Sequence, residues 1–141
     1  GVPLPVTELA PLTATPEPLP TNPPTSDRFI IARVESFCDP DLDGIIEVRV
    51  FDMSGQGVRG MPVQFTWSGG QRDQAFTGLK PGREPGYADF QMEPDRAYQV
   101  SVPGLVSDPR SLEAVPCQVQ AGSETVTRTT SYRINFQQQA N

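Results

Sequence analysis

The chain has 141 residues, 36% of them hydrophobic and 20% charged, with a net charge of −6 and no histidine. This is enough for one domain, and the acidic balance argues against a nucleic-acid partner, which needs a basic surface. Without an imidazole there is no histidine general base, no usual zinc site and no Ser-His-Asp triad, and no run of 18 apolar residues is present to span a membrane as a helix.

Residues 1–27 form a regime of their own. Eight prolines (Pro3, Pro5, Pro11, Pro16, Pro18, Pro20, Pro23 and Pro24) interleave with threonines, and only Glu8, Glu17 and Asp27 are charged. Proline fixes φ and removes a donor, so an extended polyproline II arm is expected. At roughly 3.1 Å per residue it would reach about 80 Å, about twice the width of a domain of this size. Val2, Leu4 and Val6 alternate with Pro3 and Pro5, and Leu9, Leu12 and Leu19 follow. These are apolar anchors that a Gly/Ser spacer lacks. Gly1 reads as the start of a mature or trimmed chain.

From Arg28 the pattern changes to short runs of alternating apolar and polar residues, each with one face for a core. The first strand is expected over Phe29–Phe37. Asp39–Gly44 turns into a second, Ile45–Asp52, with Ile46, Val48 and Val50 (or Ile45 and Phe51) facing in. Gly55 and Gly57 mark a loop that uses glycine for positive φ. The third strand, Pro62–Trp67, is expected to bury Val63, Phe65 and Trp67, and Gln74–Thr77 forms a short fourth. Gly86–Met92 should bury Ala88, Phe90 and Met92, and Ala97–Val102 should bury Tyr98, Val100 and Val102. Residues 103–116 read as a ragged loop. The last strand is Thr125–Gln137, with Tyr132, Ile134 and Phe136 on one face. No segment has helical periodicity. About seven strands at this spacing predict an all-β, Ig-like or prealbumin-like two-sheet sandwich over 28–138, with 139–141 as a tail.

Cys38 and Cys117 are too far apart for a metal knuckle or a redox Cys-x-x-Cys pair. In a chain of secreted character they read as one disulfide, which places the protein outside the cell. The alternative is two buried free thiols.

The run Val48-Arg49-Val50-Phe51-Asp52, then Gly55 and Gly57-Val58-Arg59-Gly60-Met61-Pro62-Val63, then Gly86-Tyr87-Ala88-Asp89-Phe90 and Tyr98-Gln99-Val100-Ser101-Val102, resembles bacterial carboxypeptidase regulatory-like and collagen-adhesin B-type domains. The resemblance covers residues 45–102. It implies a seven-stranded prealbumin-like sandwich used as a stalk, spacer or fibre subunit on a cell surface. It carries no catalytic residues. Some members of those families join Lys and Asn in an isopeptide bond. Here Lys80 lies in a Pro/Gly loop and reads as a solvated lysine rather than a partner for Asn135.

Asp39, Asp41 and Asp43 before Gly44 match the first half of a calcium loop, with Glu47 as a further oxygen. Pro40 intervenes, however, and Val50 stands where the bidentate glutamate belongs. An acidic turn beside a disulfide is the competing reading, and no other cofactor is implied. Trp67 with Tyr87 and Tyr132 could stack sugar rings, although Trp67 is in phase with Val63 and Phe65 and reads equally as core. Asp89 with Glu93, or Asp39 with Asp43, could form a carboxylate pair, but nothing marks a cleft. The expectation is therefore a non-enzymatic, extracellular, self-assembling fibre subunit. Its arm, anchored by Val2, Leu4, Val6, Leu9 and Leu12, would dock head-to-tail on a neighbouring copy. The alternatives are a plain linker to another domain, or an accessory ligand- or carbohydrate-binding module of a larger secreted enzyme or adhesin.

Overall fold

The computed structural model describes residues 28–140. Ten strands are present: β1 (Arg28–Phe37), β2 (Ile45–Phe51), β3 (Pro62–Trp67), β4 (Gln71–Phe76), β5 (Tyr87–Gln91), β6 (Ala97–Ser101), β7 (Ser111–Glu113), β8 (Pro116–Ala121), β9 (Glu124–Thr129) and β10 (Ser131–Gln139). They form one sheet in the order β1-β10-β2-β5, a second in the order β4-β3-β6-β7, and a separate β8–β9 hairpin. The fold is an all-β sandwich, as the alternation predicts. All pairings within the sheets are antiparallel except β10 with β2, which run parallel.

The core lies between the two sheets because the period of two sends alternate side chains there. Ile46, Val48 and Val50 of β2 face Val63 and Phe65 of β3 and Val100 of β6, all fully buried. Ile134 and Phe136 from β10 and Tyr98 and Leu112 from the second sheet complete it. Phe65 and Phe90 stack face to face across the core, with ring centroids 4.5 Å apart. The Tyr98 hydroxyl is satisfied by accepting from the Glu93 main-chain N–H at 2.9 Å.

Three elements depart from the expectation. The loop predicted over 103–116 contains β7, whose Leu112 is buried. Ser111–Glu113 is too short for periodicity to mark it. The single strand expected over Thr125–Gln137 is two strands, broken at Thr130, whose N–H and hydroxyl both bond to the Val115 carbonyl. The first of them, β9, pairs with an unanticipated β8 instead of joining a sheet. At the other end β10 runs on to Gln139, into the expected tail.

Gly57 serves a different purpose from the one expected, and it shares that purpose with Gly86. Gly55 does have φ +88°, but Gly57 and Gly86 do not have positive φ. They face each other instead. A Cβ on Gly86 would lie 2.4 Å from the Val50 carbonyl oxygen, and one on Gly57 would lie 2.7 Å from the Gly86 nitrogen. Their requirement is close approach of backbone to backbone.

Candidate functional site

Cys38 and Cys117 are joined as a disulfide, as predicted. The acidic turn beside it is a clamp on the β8–β9 hairpin. Asp43 Oδ1 accepts from the Thr129 N–H at 2.6 Å, Asp39 Oδ1 accepts from the Asp41 N–H at 2.8 Å, and Arg128 Nε donates to the Pro40 carbonyl at 2.9 Å. Glu47 points elsewhere, into an ion pair with Arg133. Among the described residues no three potential ligands gather for a metal, so Asp39, Asp41 and Asp43 form no calcium cage. Their spacing serves the turn, where carboxylates bond to nearby main-chain N–H groups.

Trp67 and Tyr87 are not brought together as a platform. Trp67 is half-buried on the second sheet, with its ring 5.3 Å from Tyr98, 6.0 Å from Phe90 and the Arg96 guanidinium over it. It borders a shallow dish of about 310 Å³ whose other walls include Thr66, Ser68, Gln99 and Ser111. Tyr87 lies on the outer face of the first sheet, yet it is only 2% exposed. The residue-by-residue pattern of β5 left it on the polar side. The loop after β4 covers it, with the Arg83 guanidinium 3.8 Å from the ring centroid and Arg49 at 5.1 Å. Burial raises the Tyr87 pKa, and the hydrogen bond to Asp89 raises it further, so the phenol stays protonated. Tyr132 is on the first sheet, and its hydroxyl donates to the Glu113 carbonyl. Lys80 pairs with Asp89 at 2.8 Å, which engages it away from Asn135 in mid-β10.

Around Tyr87 the outer face of the first sheet carries a continuous line of ion pairs that the sequence reading missed. Glu35 meets Arg133 at 3.7 Å, Arg133 meets Glu47 at 3.0 Å, Glu47 meets Arg49 at 3.8 Å and Arg49 meets Glu84 at 2.9 Å. The signal was present in the outward positions Glu47, Arg49 and Arg133, but reading it needs the parallel β10–β2 register. Glu84 is held down to about 2, first by its own main-chain N–H and then by Arg49. A carboxylate lowered from 4.5 contributes stability that is full above that value and is lost as pH falls through about 2. Its side chain is 47% exposed, so solvent screens much of the effect. The melting temperature should fall between pH 5 and pH 2, and Glu84→Gln should flatten part of that fall. Parallel pH profiles for the two proteins would remove Glu84 from the acid response.

An open feature lies where the ends of the two sheets meet. β4 and β5 stand side by side, and between them runs a groove of about 340 Å³ lined by Ala75, Phe76, Leu79, Lys80, Ala88 and Asp89, among others. Phe76 is 43% exposed and Leu79 71%. The arm residues Val2, Leu4, Val6, Leu9 and Leu12 lie outside the described residues.

No protein-family model matches the chain, and no curated protein matches it. What stands of the expected resemblance is the all-β sandwich itself, with ten strands in place of the seven implied. Similar solved structures include the dioxygenase domain of a dioxygenase–carbohydrate-binding protein fusion from Streptomyces sp. SirexAA-E, at 13% identity, over 71% of this chain and 83% of that one, with a TM-score of 0.35. They also include the C-terminal fragment of the pilus adhesin SpaC from Lactobacillus rhamnosus GG, at 12% identity, over 92% of this chain and 50% of that one, with a TM-score of 0.37. The chain thus spans half of the adhesin fragment. Likenesses this distant carry no argument about what the chain does.

Proposed function

We propose that this chain is a non-enzymatic, extracellular structural module that assembles with copies of itself, with residues 1–27 as the connector. One observation carries the reading. Among the described residues, 28–140, both sheets and a buried core between them are already formed. The preceding 27 residues carry apolar side chains spaced between prolines, and an extended apolar segment is suited to a groove or sheet edge on another molecule. The disulfide supports an oxidising compartment.

Electron microscopy and sedimentation velocity on the full chain, beside a version lacking residues 1–27, test the reading. Polymers from the full chain and dispersed monomers from the truncation are the expected pair of results. Dispersed particles from both would reject assembly. A glycan array with Trp67→Ala as control would then examine the carbohydrate-binding alternative at the Trp67 dish.

A further inference from the structure

We propose that the groove between β4 and β5 is the acceptor for the apolar end of the N-terminal segment, residues 2–12, of a second copy, an inference that rests on the assembly reading above. The two sides of the sandwich are finished differently. On the β1 side, residues 104–107 cover the start of β1. The Phe29 N–H donates to the Gly104 carbonyl and the Val106 N–H to the Phe29 carbonyl, both at 2.9 Å, and the Ile31 N–H donates to Ser107 Oγ at 3.0 Å. Among the described residues the groove on the β4/β5 side is open, with Phe76 and Leu79 at its surface and the Lys80–Asp89 pair on its wall.

The chemistry of the groove selects its occupant. β4 is poorly suited to adding a full strand. Asp73 stands opposite Phe65 in the register, a charge at an inward position, and its carboxylate accepts from the Gln74 N–H at 2.7 Å. Inward charges and engaged amides on an edge strand discourage strand pairing. The favoured occupant therefore offers apolar side chains and few main-chain donors. Val2-Pro3-Leu4-Pro5-Val6 fits that description: its aliphatic residues recur every second position, and the prolines between them carry no N–H.

The position of the segment points to another molecule. It joins the domain at Arg28 in β1, and β1 and β5 stand at opposite ends of their sheet. Between the apolar end and the domain lie Pro16, Pro18, Pro20, Pro23 and Pro24, a composition that favours a stiff extended path. Residues 13–27 would then span about 45 Å, more than the roughly 35 Å width of a domain of this size. An extended path of that length would carry the Val2–Leu12 end beyond the width of its own domain. A contact from the β1 side of one copy to the β4/β5 side of the next is heterologous, the kind that builds an open filament where its rotation closes no ring.

The test uses the full chain, with p-benzoylphenylalanine in place of Leu79 and a mixture of isotopically labelled and unlabelled copies. Illumination should give a ladder of covalent oligomers, with the crosslinked peptides mapping to residues 2–12 of a differently labelled copy. In parallel, Phe76→Asp and Leu79→Asp should each weaken self-association at least tenfold in sedimentation velocity while leaving the thermal melt in place. Having two variants guards against one failing to fold. Polymers that persist in both variants, or crosslinks that land elsewhere, would overturn the groove as acceptor and leave assembly standing. Crosslinks to residues 2–12 within the same copy would overturn the second-copy assignment. A parent chain that is monomeric at every concentration would overturn the groove and the assembly reading together.

Discussion

Replacing Cys38 and Cys117 by serine is expected to lower the unfolding free energy by about 4–5 kcal/mol, the largest effect of any change considered for this molecule. The bridge joins residues 79 apart in sequence. Closing a loop of that size removes roughly 4.5 kcal/mol of chain entropy from the unfolded state. For a domain of this size the melting temperature should fall by on the order of 15–20 °C. A local effect should accompany the global one. The β8–β9 hairpin belongs to neither sheet, and a two-stranded hairpin is marginal alone. Its base is held by the disulfide, by Arg128 on the Pro40 carbonyl and by Thr129 on Asp43. Without the covalent tie, the amides of Cys117–Arg128 should exchange with solvent well before those of β2 and β3. Calorimetry and hydrogen exchange on the double serine variant check both parts. A drop of less than about 5 °C would mean that the bridge closes a loop already held by its neighbours.

The parts of the fold legible in the sequence were those governed by local alternation. Ile46, Val48 and Val50, then Val63 and Phe65, then Tyr98, Val100 and Val102 are buried where period-two reading puts them. The reading weakened wherever a partner far along the chain decides the outcome. Trp67 and Phe90 are in phase with the core but sit toward its margin, half-buried against Tyr98 and Phe65. Tyr87 is on the outward phase, yet the Arg83–Glu84 loop folds over it and buries it. No local pattern specifies that a loop will return. The β8–β9 hairpin alternates weakly, because Gln118, Gln120, Thr125 and Thr127 face solvent and, of the pairs on the other side, only Val119–Val126 is apolar on both strands. Gly57 was recognisable as a loop glycine, but its requirement lies in a contact with Gly86, 29 positions further along the chain (86 − 57). The candidate site followed the same division. The acidic run Asp39–Asp43 was visible as a motif, while its role as a clamp depends on Arg128 and Thr129. The β4/β5 groove exists only once two strands from different sheets are set side by side.

Phe65→Ala should cost about 4 kcal/mol, the second largest effect, and its neighbours explain why the site cannot collapse to recover it. Phe65 is fully buried in mid-β3, flanked by Asp73 on β4 and Val100 on β6. Its ring stacks on Phe90 of the opposite sheet with an interplanar angle of 13°. Truncation removes the transfer energy of a phenyl ring and leaves a cavity between two hydrogen-bonded sheets, a combination worth about 3–5 kcal/mol. The backbone on both sides is fixed by ladders, so relaxation must come from side chains. Trp67, two positions further along β3, is already packed on Tyr98. Phe90→Ala should cost less, because Phe90 is only partly buried and water can replace part of what it covered. The double variant should fall short of the sum of the two by about 0.5–1.5 kcal/mol, the coupling expected of an aromatic pair beyond its burial. Chemical denaturation of the four proteins measures all three terms. Strict additivity would mean that the Phe65–Phe90 stack contributes nothing beyond the area each ring buries. The two sheets would then be held together by aliphatic packing of β2 against β3 and β6, with the aromatic pair as filler.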